Sequence, residues 1–152
     1  MPIQHPTVNA DNHRMIAAFE AHQRRRNLSP TTIAGRRTRL QGLARHLHAR
    51  GKMLHEATTG DIEAWFDGLG QPHGLAPQTR HTYTRQLSAF YQWAISTGVV
   101  DHDPTAAIVR PRLPRPLPRP MDPADLRHAL DQADDRKAAM LALAAYAGLR
   151  CQ

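Results

Sequence analysis

At 152 residues the chain has room for one ordinary domain and part of a second, and its formal charge of +7 with a pI near 10.7 points to a polyanionic partner. The lone cysteine, Cys151, excludes an intrachain disulfide framework and a cysteine-rich zinc site. No apolar run approaches the ~20 residues of a membrane span, and Met1 to Ala10 lack a signal-type apolar stretch, so a soluble cytoplasmic protein is expected.

Of the 20 basic residues only Lys52 and Lys137 are lysine. Arginine's planar fork meets phosphate oxygens or a guanine edge with two hydrogen bonds, which favours nucleic acid over a diffuse anionic surface. A GC-rich genome would also favour arginine over lysine; it would not explain the excess charge.

Helical spacing with little strand signal predicts an all-α chain. A first helix is expected from about Asp11 to Arg24, burying Met15, Ile16, Phe19 and Ala18, with Arg24, Arg25 and Arg26 at its basic end. Ser29 can cap, and Pro30 can open, a second helix running to about Arg50. Its apolar stripe is Ile33, Leu40, Leu43, Ala44 and Leu47, its other side carries Arg36, Arg37, Arg39 and Arg45, and Gly51 closes it. Thr58 or Thr59 caps a short third helix with Ile62, Trp65, Phe66 and Leu69 inward and an acidic face of Asp61, Glu63 and Asp67. Pro77 opens a fourth helix ending near Thr97-Gly98. Its core stripe is Tyr83, Leu87, Phe90 and Ala94, and its polar side is Gln78, Arg80, His81, Thr84, Arg85 and Ser88.

From Pro104 to Pro120 six prolines alternate with Arg110, Arg112, Arg115 and Arg119, the signature of an extended basic linker. Asp122 then caps a helix containing Leu126, Ala129 and Leu130. A last helix, from about Asp135 to Ala147, is apolar nearly all round and is expected to belong inside a larger core. Tyr83, Tyr91 and Tyr146 all fall in helical patterns as expected core.

The order of these pieces resembles the tyrosine recombinases of the phage integrase family. Leu28, Ser29, Pro30, Thr32 and Ile33 match the start of that family's core-binding domain. Phe90-Tyr91-Gln92-Trp93-Ala94, Gly98 and the Asp103-Pro104 turn match its last helix, and Pro120 to Asp125 loosely match the entry to the catalytic domain. Tyr146-Ala147-Gly148-Leu149-Arg150 match the end of that domain's second helix. Arg36, where many relatives carry an aromatic residue, and Cys151 depart from the pattern.

The resemblance implies a four-helix SAM-like core-binding domain over 11–105, after a flexible 1–10. A proline/arginine linker over 106–121 and the first helices of a catalytic domain over 122–152 follow. It implies double-stranded DNA at a recombination core site as partner, possible self-association on DNA, and neither cofactor, metal, membrane nor small-molecule substrate. Arg150 would be the first catalytic arginine, stabilising charge on the scissile phosphate; the other catalytic groups, the nucleophilic tyrosine included, fall beyond the residues given. The chain is therefore expected to grip DNA without cutting it.

For that grip the candidates are Thr31, Thr32, Arg36, Arg37 and Arg39 on the second helix. Gln78, Arg80, His81, Thr84 and Arg85 join them from the fourth, and Arg110, Arg112, Arg115 and Arg119 from the linker. The linker arginines could equally keep a proline segment soluble. His46 and His48 point to different sides of their helix without a carboxylate or cysteine cluster, so no metal site is expected. The alternatives are a free-standing helical DNA-binding regulator and a basic protein-interaction module.

Overall fold

The computed structural model describes residues 10–112 and 121–148, and among them the backbone is helix and turn without a strand. The chain divides into two compact units, 1–113 and 114–152. The first holds α1 (Ala10–Arg25), α2 (Pro30–His48), a single 3-10 turn (Leu54–Glu56), α3 (Thr59–Leu69) and α4 (Pro77–Ser96); the second holds α5 (Pro123–Gln132) and α6 (Asp135–Ala147).

Helix ends follow local chemistry. Ser29 Oγ accepts from the amide of Thr32 at 3.2 Å with Pro30 as the first helical residue. Thr58 and Asp61 cap α3 reciprocally. Three helices stop in the same way. The amides of Leu28, Lys52 and Val99 reach back to the carbonyls of Gln23, Leu47 and Ala94 at 3.2, 3.0 and 2.9 Å. The turning residues Asn27, Gly51 and Gly98 take φ of 56, 71 and 71°. Gly51 thus ends α2, whose last residue is His48 rather than the expected Arg50.

All five apolar residues of the α2 stripe are buried. Leu40, Leu43, Ala44 and Leu47 join Ile16 and Phe19 from α1, Ile62, Trp65 and Phe66 from α3, and Leu87, Phe90 and Tyr91 from α4 in one core. Each such side chain contributes about 1.5–3 kcal/mol relative to staying in water. Phe19 meets Phe90 edge-on with centroids 5.4 Å apart. At Gly42 a Cβ would stand 3.1 Å from the Trp65 ring, so this glycine is where α2 and α3 come close.

The 3-10 turn is absent from the periodicity, because long-range contacts make it. Asn12 Oδ1 accepts from the Leu54 amide at 3.0 Å, and the Tyr91 hydroxyl donates to the Leu54 carbonyl at 3.0 Å; all three residues are buried. Ala18 and Leu69, expected inward, are exposed. Ile108 lies in the core, three residues past the expected domain edge, after a turn in which Asp103 accepts from the amide and hydroxyl of Thr105.

In the second unit Asp122 and Asp134 cap α5 and α6, and Gly148 closes α6 at φ 64°. Neither helix buries a residue. Tyr146, expected as core, is 75 % exposed, as are much of Met140 and Leu143, since in a two-helix unit α5 alone can cover the apolar sides of α6.

Candidate nucleic-acid interface

The polar sides of α2 and α4 do not form one uniform cationic face. Packing sorts their arginines into those neutralised by carboxylates and those that are not. Glu20 of α1, nearly buried, accepts from Arg24 Nη2 at 2.9 Å and lies 3.7 Å from Arg37 Nε. Arg80 lies 3.5 Å from Glu63 and 3.8 Å from Asp67, with its guanidinium over the Phe66 ring. The acidic side of α3 therefore does not simply face solvent: it holds Arg80, while Asp61 turns inward onto Lys52 Nζ at 2.8 Å.

Arg36 and Arg39 are held by neutral groups instead. Arg36 Nη1 donates to Oε1 of Gln23 at 3.0 Å. Arg39 Nη1 donates to the Gly35 carbonyl at 3.3 Å, and its guanidinium stacks 4.8 Å from the centre of the Tyr83 ring. Tyr83 is itself stacked on Trp65, so the platform under Arg39 is rigid. Burial depresses the pKa of Arg36, and the nearby charges of Arg85 and Arg26 depress it further. Among the described residues none of Arg26, Arg36, Arg39 and Arg85 has a carboxylate partner. Cations gathered in this way repel one another, and an arriving anion relieves that repulsion.

The remaining candidates divide as follows. Thr31 and Thr32 are exposed at the start of α2, where free amides and the helix dipole favour an anion; the Thr32 hydroxyl is hydrogen-bonded to that of Ser29 at 2.8 Å. Gln78 is exposed at the start of α4, and His81 is half-buried. Thr84 corrects the expected polar side: it is fully buried, its hydroxyl donating to the Arg80 carbonyl at 2.9 Å, and Ser88 is buried one turn further on. Both fall on the side of α4 that meets the core, which is wider than the apolar pattern because α1, the 3-10 turn and α3 each pack against this helix. Arg110 and Arg112 are exposed. Arg115, Arg119 and Arg150 lie outside the described residues.

Two residues of the site escaped the sequence reading. Arg26 was legible only as a helix-end charge. Gln23 falls four residues after Phe19 and seven after Ile16, on the stripe that turns inward; that spacing is the signal that could have found it.

Residues 16–98 match the family model described as "Phage integrase, N-terminal SAM-like domain". The chain is 36 % identical over 144 residues to a protein named tyrosine recombinase XerC from Chromohalobacter salexigens, covering 90 % of this chain and 48 % of that one. It is 31 % identical over 108 residues to a tyrosine recombinase XerD from Brucella abortus, covering 71 % and 35 %. Its fold is similar to that of the integrase from mycobacterium phage Brujita, with a TM-score of 0.62 and 30 % identity over 90 % of this chain and 46 % of that one. The chain thus spans between about a third and a half of the length of these relatives.

Proposed function

The chain belongs to the tyrosine recombinase family through its phage-integrase-type SAM-like domain, and we propose that it is the part of a site-specific recombinase that grips double-stranded DNA at a recombination core site. The observation that carries this reading is that several arginines just after α1 and on α2 and α4, among them Arg26, Arg36, Arg39 and Arg85, have no carboxylate partner among the described residues, Arg36 being held by neutral Gln23 instead.

In this reading Arg36, Arg39 and Arg85 bind backbone phosphates, and Thr31 offers the α2 N-terminus to another. Gln78 and His81 are positioned on α4 to reach base edges. Arg37 and Arg80, already paired with acids, contribute less than their charges suggest, and Thr84 supports the helix from inside. Arg110, Arg112, Arg115 and Arg119 follow the DNA backbone along the linker. Arg150 is the first arginine of the catalytic set and contacts the scissile phosphate.

Strand cleavage is assigned to no tyrosine of this chain. Tyr91 is buried on the Leu54 carbonyl, its ionisation pushed up by burial and then by Asp103 and Asp61, and Tyr83 lies beneath Arg39. No described helix is long and apolar enough to cross a membrane; the proposed setting is the cytoplasm of a bacterial host, with self-association arising on DNA.

The test is fluorescence anisotropy of a labelled duplex titrated with the chain at a series of salt concentrations. Each phosphate contact contributes about −0.9 to the slope of log affinity against log salt. A slope corresponding to several contacts is expected; affinity insensitive to salt would overturn the proposal.

A further inference from the structure

Gln23 occupies a position at which an apolar residue would cost less. It stands on the buried stripe of α1 with Ile16 and Phe19, is 1 % exposed, and its Nε2 finds no hydrogen-bond partner among the described residues. A buried orphan donor is a standing penalty that leucine or methionine would avoid. The only side-chain contact its amide makes among the described residues is through Oε1, which accepts from Arg36 Nη1 at 3.0 Å across thirteen residues of sequence. Arginine only donates, so the amide must present its oxygen there.

The neighbouring turn of α1 sharpens the contrast. Glu20, also in the partly apolar interface with α2, takes Arg24 and Arg37 with a carboxylate. At Gln23 the same helix uses an amide, which can orient a guanidinium and cannot cancel its charge. Arg36 Nε is buried without a partner, so among the described residues Gln23 holds the fork through Nη1 alone. Arg85 from α4 and Arg26 from the end of α1 are close enough to lower the pKa of Arg36, and neither has an acid of its own among the described residues.

We infer that Gln23 is a positioning residue for backbone-phosphate binding: it fixes the Arg36 fork without neutralising it, so that Arg36 keeps its charge for a phosphate oxygen. This rests on the proposal that the α2–α4 side meets DNA. The ligand chemistry is a phosphodiester oxygen rather than a base edge, because a guanidinium whose charge nothing cancels suits concentrated negative charge and carries no base pattern.

The experiment compares the 152-residue chain with Gln23→Glu, Arg36→Ala and the double variant, using a short labelled duplex between about 50 and 200 mM salt. Gln23→Glu gives Arg36 a carboxylate partner in nearly the same volume. It should weaken binding roughly three- to tenfold, lower the salt slope by about one, and do so equally for duplexes of different sequence. In the Arg36→Ala background the same change should add nothing. Circular dichroism melts check that each variant folds; should Gln23→Glu not fold, Gln23→Met takes its place, expected to weaken binding through a loosened Arg36 while leaving the slope unchanged.

Unchanged affinity and slope in a folded Gln23→Glu, or an equal loss with and without Arg36, would overturn the inference. So would a loss confined to one duplex sequence, or a folded Gln23→Met that binds as tightly as the parent. If the parent chain shows no salt-dependent binding, it is the DNA-binding proposal that fails. If the parent binds and Arg85→Ala weakens it while Gln23→Glu does not, the proposal stands and the inference alone falls.

Discussion

Arg80 of α4 reaches across to α3, where its Nη2 stands 3.5 Å from Oε1 of Glu63. With Asp67 at 3.8 Å and the Phe66 ring beneath its guanidinium, the Arg80 side chain is three-quarters buried and its charge is met within the protein. Arg85, five residues on, is exposed with no carboxylate partner among the described residues. Two arginines of one helix therefore serve different ends: one ties α4 to α3, and the other is available to an anion.

This difference is measurable. Arg80→Ala should cost about 0.5–1.5 kcal/mol of stability, the sum of a partly exposed ion pair and a cation–π contact, and leave the salt slope of DNA binding nearly unchanged. Arg85→Ala should do the reverse, leaving urea melts within about 0.5 kcal/mol of the parent while reducing the slope by about one. Equal loss of slope in the two variants would show that the Glu63 pairing does not withhold Arg80 from DNA.

Tyr91→Phe tests the clamp on the 3-10 turn. Removing one hydroxyl leaves the buried Leu54 carbonyl with only the longer bond from the Ala57 amide at 3.4 Å, while keeping the ring that packs against Phe90. The expected loss is about 0.5–1.5 kcal/mol, seen as a melting temperature lower by about 4–8 °C per kcal/mol for a domain of this size. A variant as stable as the parent would mean that the Ala57 amide alone satisfies the carbonyl.

How far these roles are legible in sequence depends on the range of the interaction that creates them. The α2 stripe of Ile33, Leu40, Leu43, Ala44 and Leu47 is written in one helix's own period. The caps at Ser29 and Asp122 depend on neighbours two or three residues away. The sorting of the arginines is different in kind. Arg37 is neutralised and Arg36 is not because Glu20 and Gln23 arrive from another helix at adjacent turns. Likewise Arg80 pairs because α3 packs where it does. Thr84 and Ser88 look like parts of a polar side until α1, α3 and the 3-10 turn are seen to surround α4. Asn12 and Tyr91 meet at Leu54 from opposite ends of the domain, and no window of sequence contains both.

Asp61 makes the first unit sensitive to acid in a defined range. Burial works against its ionisation, but hydrogen bonds from Lys52 and from the hydroxyl and amide of Thr58, together with the Lys52 charge, prevail and lower its pKa from 3.8 to about 2. The folded value lies below the unfolded one, so unfolding takes up a proton between them. The contribution is complete above the unfolded value, declines as pH falls below about 4, and is lost once pH passes below the folded value. Asp61→Asn removes the Lys52 ion pair and the charge that strengthens the bonds from Thr58, while the residue-61 amide keeps its bond to Thr58 Oγ1, with an expected cost near neutrality of about 1–3 kcal/mol. Urea melts of parent and variant should therefore differ at pH 6 and converge as the pH falls from about 4 toward 2. A difference that stays constant over that interval would show that the carboxylate's charge is not what stabilises the start of α3.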